Sequence, residues 1–164
     1  MKPHSILLSV FSLLVANSVW AASAVVDVKL SPAGSFKAKT SDVKGYAVAK
    51  GDEVSAQNIA VDLKNLKTGV ELRDKHTLKH LEVEKYPEAV LIVGKGKSGK
   101  GNGKIRIHGV EKDINGIYKV NGNELEAEFK LNLPDFKITN ISYMGAGVED
   151  EVTLHVVVPV KKGP

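Results

Sequence analysis

Apolar and polar side chains alternate along most of this chain with a period of two. Val26, Val28 and Leu30 alternate with Asp27 and Lys29, and Phe36, Ala38 and Thr40 alternate with Lys37 and Lys39. The same period runs through Ile59, Val61 and Leu63, through Ile105 and Ile107, through Leu125, Ala127, Phe129, Leu131 and Leu133, and through Val152, Leu154, Val156, Val158 and Val160. Successive side chains of a strand point to opposite faces, so each stretch predicts a strand with one buried and one wet face. Sheets of that kind are typically antiparallel, and many such strands pack as a sandwich or close as a barrel. Closure also removes exposed sheet edges, which favours the barrel.

One stretch breaks the period. In "LRDKHTLKHLEVEKYP", residues 72–87, Leu78 and Leu81, with Leu72, fit one face of a short helix. It is expected around residues 73–84, with Pro87 closing the segment. Two Asn-Gly pairs, at 115–116 and 121–122, lie too close together to bound two ordinary strands, which predicts a bulge at one of them.

"GKGKSGKG", residues 94–101, nearly spells a phosphate-binding loop, but Gly101 stands where that loop needs the hydroxyl that holds Mg²⁺. Strand patterns lie on both sides, where a nucleotide loop would need a helix after it. The segment therefore predicts a hairpin, with Gly96, Gly99, Gly101 and Gly103 supplying positive φ and Lys95, Lys97, Lys100 and Lys104 keeping the tip solvated. Near anionic lipid each lysine adds about 1 kcal/mol, so the four would give a loose contact with an anionic membrane surface.

The first residues change the picture of where the chain works. Lys2, the apolar run Ile6–Ala16 and the small residues of "SVWAASA" have the form of a secretory signal peptide, with cleavage expected after Ala21 and residues 22–164 forming the barrel domain. The run is too short to span a bilayer. An exported, periplasmic protein is expected, with secretion to the medium as the alternative. Of 23 Lys and Arg against 19 Asp and Glu, the leader carries one base and no acid, so the remainder stays mildly basic. No nucleic-acid partner is expected. The sole Trp, Trp20, leaves with the leader. The absence of Cys excludes disulfides, thiolate metal sites and an acylated N-terminal Cys.

Candidate chemistry is sparse. His76 and His80 are four apart, which puts two imidazoles on one helix face, but a catalytic zinc needs about three protein ligands, and Thr77 stands where the metalloprotease pattern has Glu. No metal or cofactor is expected. Ser41 and Lys44 in "SDVK", with "KTG" at 67–69, match two signatures of penicillin-recognising enzymes; the Ser-Asp-Asn element is lacking, and "SDVKG" reads as a turn. Around Ser98, Lys100 replaces the last Gly of a nucleophile elbow. Arg73 and Asp74 form a surface pair or helix cap, or Arg73 turns inward toward an anionic head group.

The order of several short motifs resembles the YceI-like family. They are "KGYAVAKG" with Gly45, "TGVELRDKH" with Arg73, Asp74 and His76, "KYP" with Tyr86 and Pro87, and "GNGKIRIHGVEK" with Gly103 and Gly109. "LPDF" with Asp135 and Phe136, and "MGAGVEDEVTL" with Gly147, Asp150 and Val152, follow. The resemblance runs from about Ser35 to Val160; "SPAGSF" stands where the family usually opens with Asp and His-Ser. It implies an all-β, eight-stranded antiparallel lipocalin-like barrel and a non-enzymatic binder of polyisoprenoids and other amphiphilic lipids.

The function expected is therefore an exported carrier of an isoprenoid-type or fatty-acid-like lipid. Alternation places Phe36, Ala38, Val61, Leu63, Ile105, Ile107, Phe129, Leu131 and Phe136 on the inner face as ligand-lining residues, with Arg73 or His76 near the mouth. At about 0.8 kcal/mol per buried CH₂, against an association cost of roughly 4–15 kcal/mol, several isoprene units are needed, which favours long chains. The alternatives are an interaction protein with a fully packed barrel, and a metal site or hydrolase using His76, His80 and Asp74.

Overall fold

The computed structural model describes residues 21–164. The expected signal peptide, residues 1–21, falls almost entirely outside the described residues. In chain order the strands are β1 (Ser23–Ser31), β2 (Ser35–Thr40), β3 (Val43–Lys44), β4 (Ala47–Lys50), β5 (Glu53–Asp62), β6 (Glu88–Lys97), β7 (Lys100–Ile107) and β8 (Val110–Asn121). They are followed by β9 (Glu124–Asn132), β10 (Ser142–Tyr143), β11 (Ala146–Val148) and β12 (Glu151–Lys162). Helix α1 (Glu71–His80) precedes β6, and a 3-10 turn, Leu133–Phe136, follows β9.

The barrel expected from the period-two pattern forms, but its closed ring has seven strands, in the order β12, β4, β5, β6, β7, β8, β9 and back to β12. The eighth position is shared. β1 pairs with β12 over Ser23–Asp27, and β4 pairs with β12 beyond that point, at Val160–Lys162. β2 runs antiparallel to β1, and β4 continues in the direction of β2, so β4 meets β12 in parallel. That is the one departure from an antiparallel ring, and it arises where part of β1 and then β4 share one side of β12.

The inward stripes are those the alternation picks out. Val152, Leu154, Val156 and Val158 of β12 stand beside Leu131, Phe129, Ala127 and Leu125 of the neighbouring β9. Ile59 and Val61 of β5 face Leu91 and Ala89 of β6, and all of these belong to or pack on one hydrophobic core.

Two local expectations are corrected. Neither Asn-Gly pair forms a bulge: Asn115 and Gly116 lie in regular register opposite Asn102 and Gly101, and Gly122 makes the β8–β9 turn. Gly116 is needed because a Cβ there would sit 2.5 Å from the carbonyl oxygen of Glu128 and 2.9 Å from Phe129 Cβ. The register shift lies instead between Leu91 and Val93 of β6. The helix begins two residues before the expected start and ends at His80, where Leu81 and Glu82 fold back by hydrogen bonds to Thr77 and Lys79 and Glu82 takes φ +47°. Leu78 and Leu81 pack on the core as expected, whereas Leu72 is exposed.

The segment before α1 is held by a buried carboxylate. Asp74 Oδ1 accepts from the Thr68 hydroxyl at 2.6 Å and from the Thr68 amide at 2.7 Å. Val70, the residue preceding the helix, offers no side-chain cap. Asp74 therefore acts as a staple from the first turn to the preceding loop, and Thr68, the middle residue of "KTG", has this structural role.

Candidate ligand cavity

The barrel interior divides into a packed half and a hollow half. Toward α1, Val61, Leu63, Val83, Ile107, Leu131 and Phe136 fill the core. Toward the β6–β7 hairpin, an apolar cavity of about 90 Å³ remains, bordered by Ala47, Val54, Ala56, Leu91, Ile114, Tyr118, Leu125, Ala127 and Phe129. Its other wall is main chain at Gly94, Gly96, Gly101, Gly103 and Gly116.

The glycines explain why the cavity exists. Strands β6 and β7 continue to Lys97 and Lys100, so the turn is only Ser98 and Gly99, at φ +50° and +83°. Of the four glycines expected to supply positive φ, only Gly99 does so. Gly96 and Gly101 pair across the strands, as do Gly94 and Gly103. Where other strands send a Val, Leu or Ile inward, these send only hydrogen.

Tyr118 closes the hairpin end of this space. A Cβ on Gly96 would lie 2.4 Å from its ring and one on Gly101 3.7 Å away, so the ring rests against bare backbone. Its hydroxyl donates to the Asp52 carbonyl at 3.2 Å, and the Ser98 amide and hydroxyl reach Asp52 at 3.1 Å each. The β4–β5 and β6–β7 turns and β8 are thus tied together across the barrel end.

Of the expected lining residues, Phe129 borders the cavity. Ala38, Val61, Leu63, Ile105, Ile107, Leu131 and Phe136 are buried. Phe36 packs on the core from β2, with the Arg73 guanidinium 4.4 Å from its ring centroid. Arg73 also donates from Nη2 to the Thr68 carbonyl at 2.9 Å, so it belongs to the helix staple rather than to the cavity wall. His76 and His80 are exposed on α1, and among the described residues no group of three or more His, Cys, Asp or Glu is placed to hold a metal. The alternation does not mark Tyr118 and the inward glycines as site residues. The alternation of Gly with Lys was visible, but carrying the inward stripe Ala89, Leu91 forward by twos would turn Gly94 and Gly96 outward. The register shift after Leu91 reverses their facing.

Electrostatics are concentrated elsewhere. Hydrogen bonds from Thr68 hold the Asp74 carboxyl below the usual carboxylate range, against the opposing effect of burial. On the outer wall, a hydrogen bond from Lys37 lowers the Asp27 carboxyl, with His155 adding to it. His108, in the β7–β8 turn, directs Nδ1 to the Phe136 carbonyl at 3.0 Å and Nε2 to Glu82 at 2.5 Å, with Tyr86 against its ring. A carbonyl only accepts, so Nδ1 carries a proton, and the pair pins this turn to the helix end of the barrel.

A closed, mainly antiparallel barrel with one short helix and an apolar interior space defines the class, a lipocalin-like β-barrel. The YceI-like domain model matches residues 17–160, and the chain belongs to the YceI-like family. Among solved structures it is similar to Burkholderia cenocepacia BcnA, at 15% identity and TM-score 0.65, covering 84% of this chain and 96% of that one. It is also similar to a polyisoprenoid binding domain from Saccharophagus degradans implicated in plant cell wall breakdown, at 12% identity and TM-score 0.56, covering 84% and 91%. A third likeness is to a mutant CJ YCEI protein with a monobromobimane guest, at 16% identity and TM-score 0.52, covering 77% and 85%. No curated protein matches the chain.

Proposed function

We propose that this protein is an exported, periplasmic binder of an amphiphilic isoprenoid-type or fatty-acid-like lipid, whose chain enters the barrel at the glycine-walled end. One observation carries the reading: inward glycines leave an apolar space in an otherwise packed barrel. The polyisoprenoid binding ascribed to the Saccharophagus degradans domain supports the ligand class, and the leader-like residues 1–21 support export.

Size sets the mode of binding. At about 90 Å³ the space is smaller than the ~150 Å³ apolar cavity that holds a benzene ring, so it seats a short stretch of chain. Five carbons would contribute about 4 kcal/mol, the lower bound of an association cost of roughly 4–15 kcal/mol. A longer chain must therefore displace Tyr118, whose ring lies over Gly96 and Gly101 and is held by one hydrogen bond.

The test is native mass spectrometry of protein recovered from the exported fraction, before and after solvent extraction. An added mass that passes into the organic phase is expected. Ala127→Leu, which fills the space, and Phe129→Trp, which narrows it, should each lower lipid capture about tenfold with thermal unfolding unchanged. Phe129→Trp would also be the only Trp left after leader removal and so reports occupancy by fluorescence. A bare chain after incubation with quinones and polyprenols would replace this reading with that of a solid-barrel interaction protein.

A further inference from the structure

The outer wall at the hairpin end carries charge in a defined row. Register places Lys50 of β4, Glu53 of β5, Lys97 of β6, Lys100 of β7 and Ile117 of β8 side by side across five neighbouring strands. All lie on the face opposite Gly96 and Gly101, hence outward. Lys95 stands one row behind, opposite Ser55 and Asn102.

Two observations make this row more than a solvated surface. Lys97 pairs with Glu53 at 3.0 Å, and Lys104, outside the row, pairs with Asp113 at 2.9 Å. Among the described residues Lys50, Lys95 and Lys100 make no ion pair, so the row keeps uncompensated positive charge. Beside it stands a large exposed apolar side chain, Ile117, 58% exposed in mid-strand. Unpaired lysines beside an exposed aliphatic side chain are what an anionic bilayer surface binds, with head groups neutralising the ammonium groups and the aliphatic side chain entering the boundary with the acyl chains.

We propose that this wall is a docking surface for an anionic lipid membrane, made by Lys50, Lys95, Lys100 and Ile117. It lies outside the same barrel end that Tyr118 closes, so docking would bring the cavity mouth to the source of its guest. That last step rests on the lipid-binding reading; the docking does not.

The experiment is cosedimentation of the intact barrel with phosphatidylglycerol vesicles and with phosphatidylcholine vesicles. Each lysine near an anionic surface changes partitioning roughly fivefold, so Lys50→Gln, Lys95→Gln and Lys100→Gln together should lower binding to phosphatidylglycerol about 100-fold. Ile117→Ser should lower it about tenfold, whereas Lys137→Gln, beyond the 3-10 turn at the other end, should leave it unchanged. Binding should be absent on phosphatidylcholine and should survive millimolar glycerol phosphate. Equal binding by the triple variant, no binding to phosphatidylglycerol, or full competition by glycerol phosphate would each overturn the proposal, the last by assigning a discrete anion site instead. Lipid capture without vesicle binding would leave the carrier reading standing and remove the docking surface alone.

Discussion

Asp74 accepts from both the amide and the hydroxyl of Thr68, and the fold holds its carboxyl ionised below the usual range. A carboxylate whose folded pKa is depressed contributes stability that is full above its unfolded pKa and is lost as pH falls through the folded value. Asp74→Ala should therefore destabilise the protein by about 2–4 kcal/mol at neutral pH, since two charge-assisted hydrogen bonds go. The difference from wild type in urea titrations should shrink on the acid side of the carboxylate range; a constant difference down to pH 2 would show that the lost charge is not the cause. The Arg73-Asp74 dipeptide was legible as a cap or an inward anion receiver. Only the fold decides that Asp74 staples the loop while Arg73 stacks on Phe36, a residue far earlier in the chain.

Among the elements, the paired strands β6 and β7 show how glycine can be a strand residue. Glycine weakens a strand in isolation and marks places where another backbone or side chain comes close. Gly103 on β7, whose Cβ would lie 2.4 Å from the Val93 carbonyl oxygen, and Gly116 on β8, 2.5 Å from that of Glu128, are the tight cases against main chain. Gly116→Ala should cost about 1–3 kcal/mol, because its Cβ meets the Glu128 carbonyl, while Gly101→Ala should cost less, its nearest neighbour being 3.2 Å away. Urea midpoints of the two variants check the order, and equal midpoints would mean that β8 and β9 shift apart freely. The strands themselves were readable because apolar residues alternate in them. The facing of Gly94 and Gly96 was not, because a register shift leaves no compositional mark.

For the molecule as a whole, β12 is the closing seam, pairing with β9 on one side and with β1 and then β4 on the other. Leu154, 6% exposed, faces both Phe129 and Val26. Leu154→Ala should cost about 2–5 kcal/mol, the range for a buried leucine whose neighbours cannot collapse into the gap. Because the ring is continuous, that loss should appear in one cooperative unfolding transition. Two separate transitions would mean that the packed half and the hollow half unfold independently.

The sequence by itself determined the all-β class, the inner and outer faces of most strands, the short helix and the family, because a period of two and a series of turn motifs are local properties. Tertiary structure decided the seven-strand ring with its shared eighth position, since which edge β12 offers to β1 and to β4 depends on where distant strands begin and end. It also decided which half of the interior is hollow. Volume is set by the sum of side chains meeting at one place, and Ala47, Gly96, Tyr118 and Ala127 meet only once the barrel is closed.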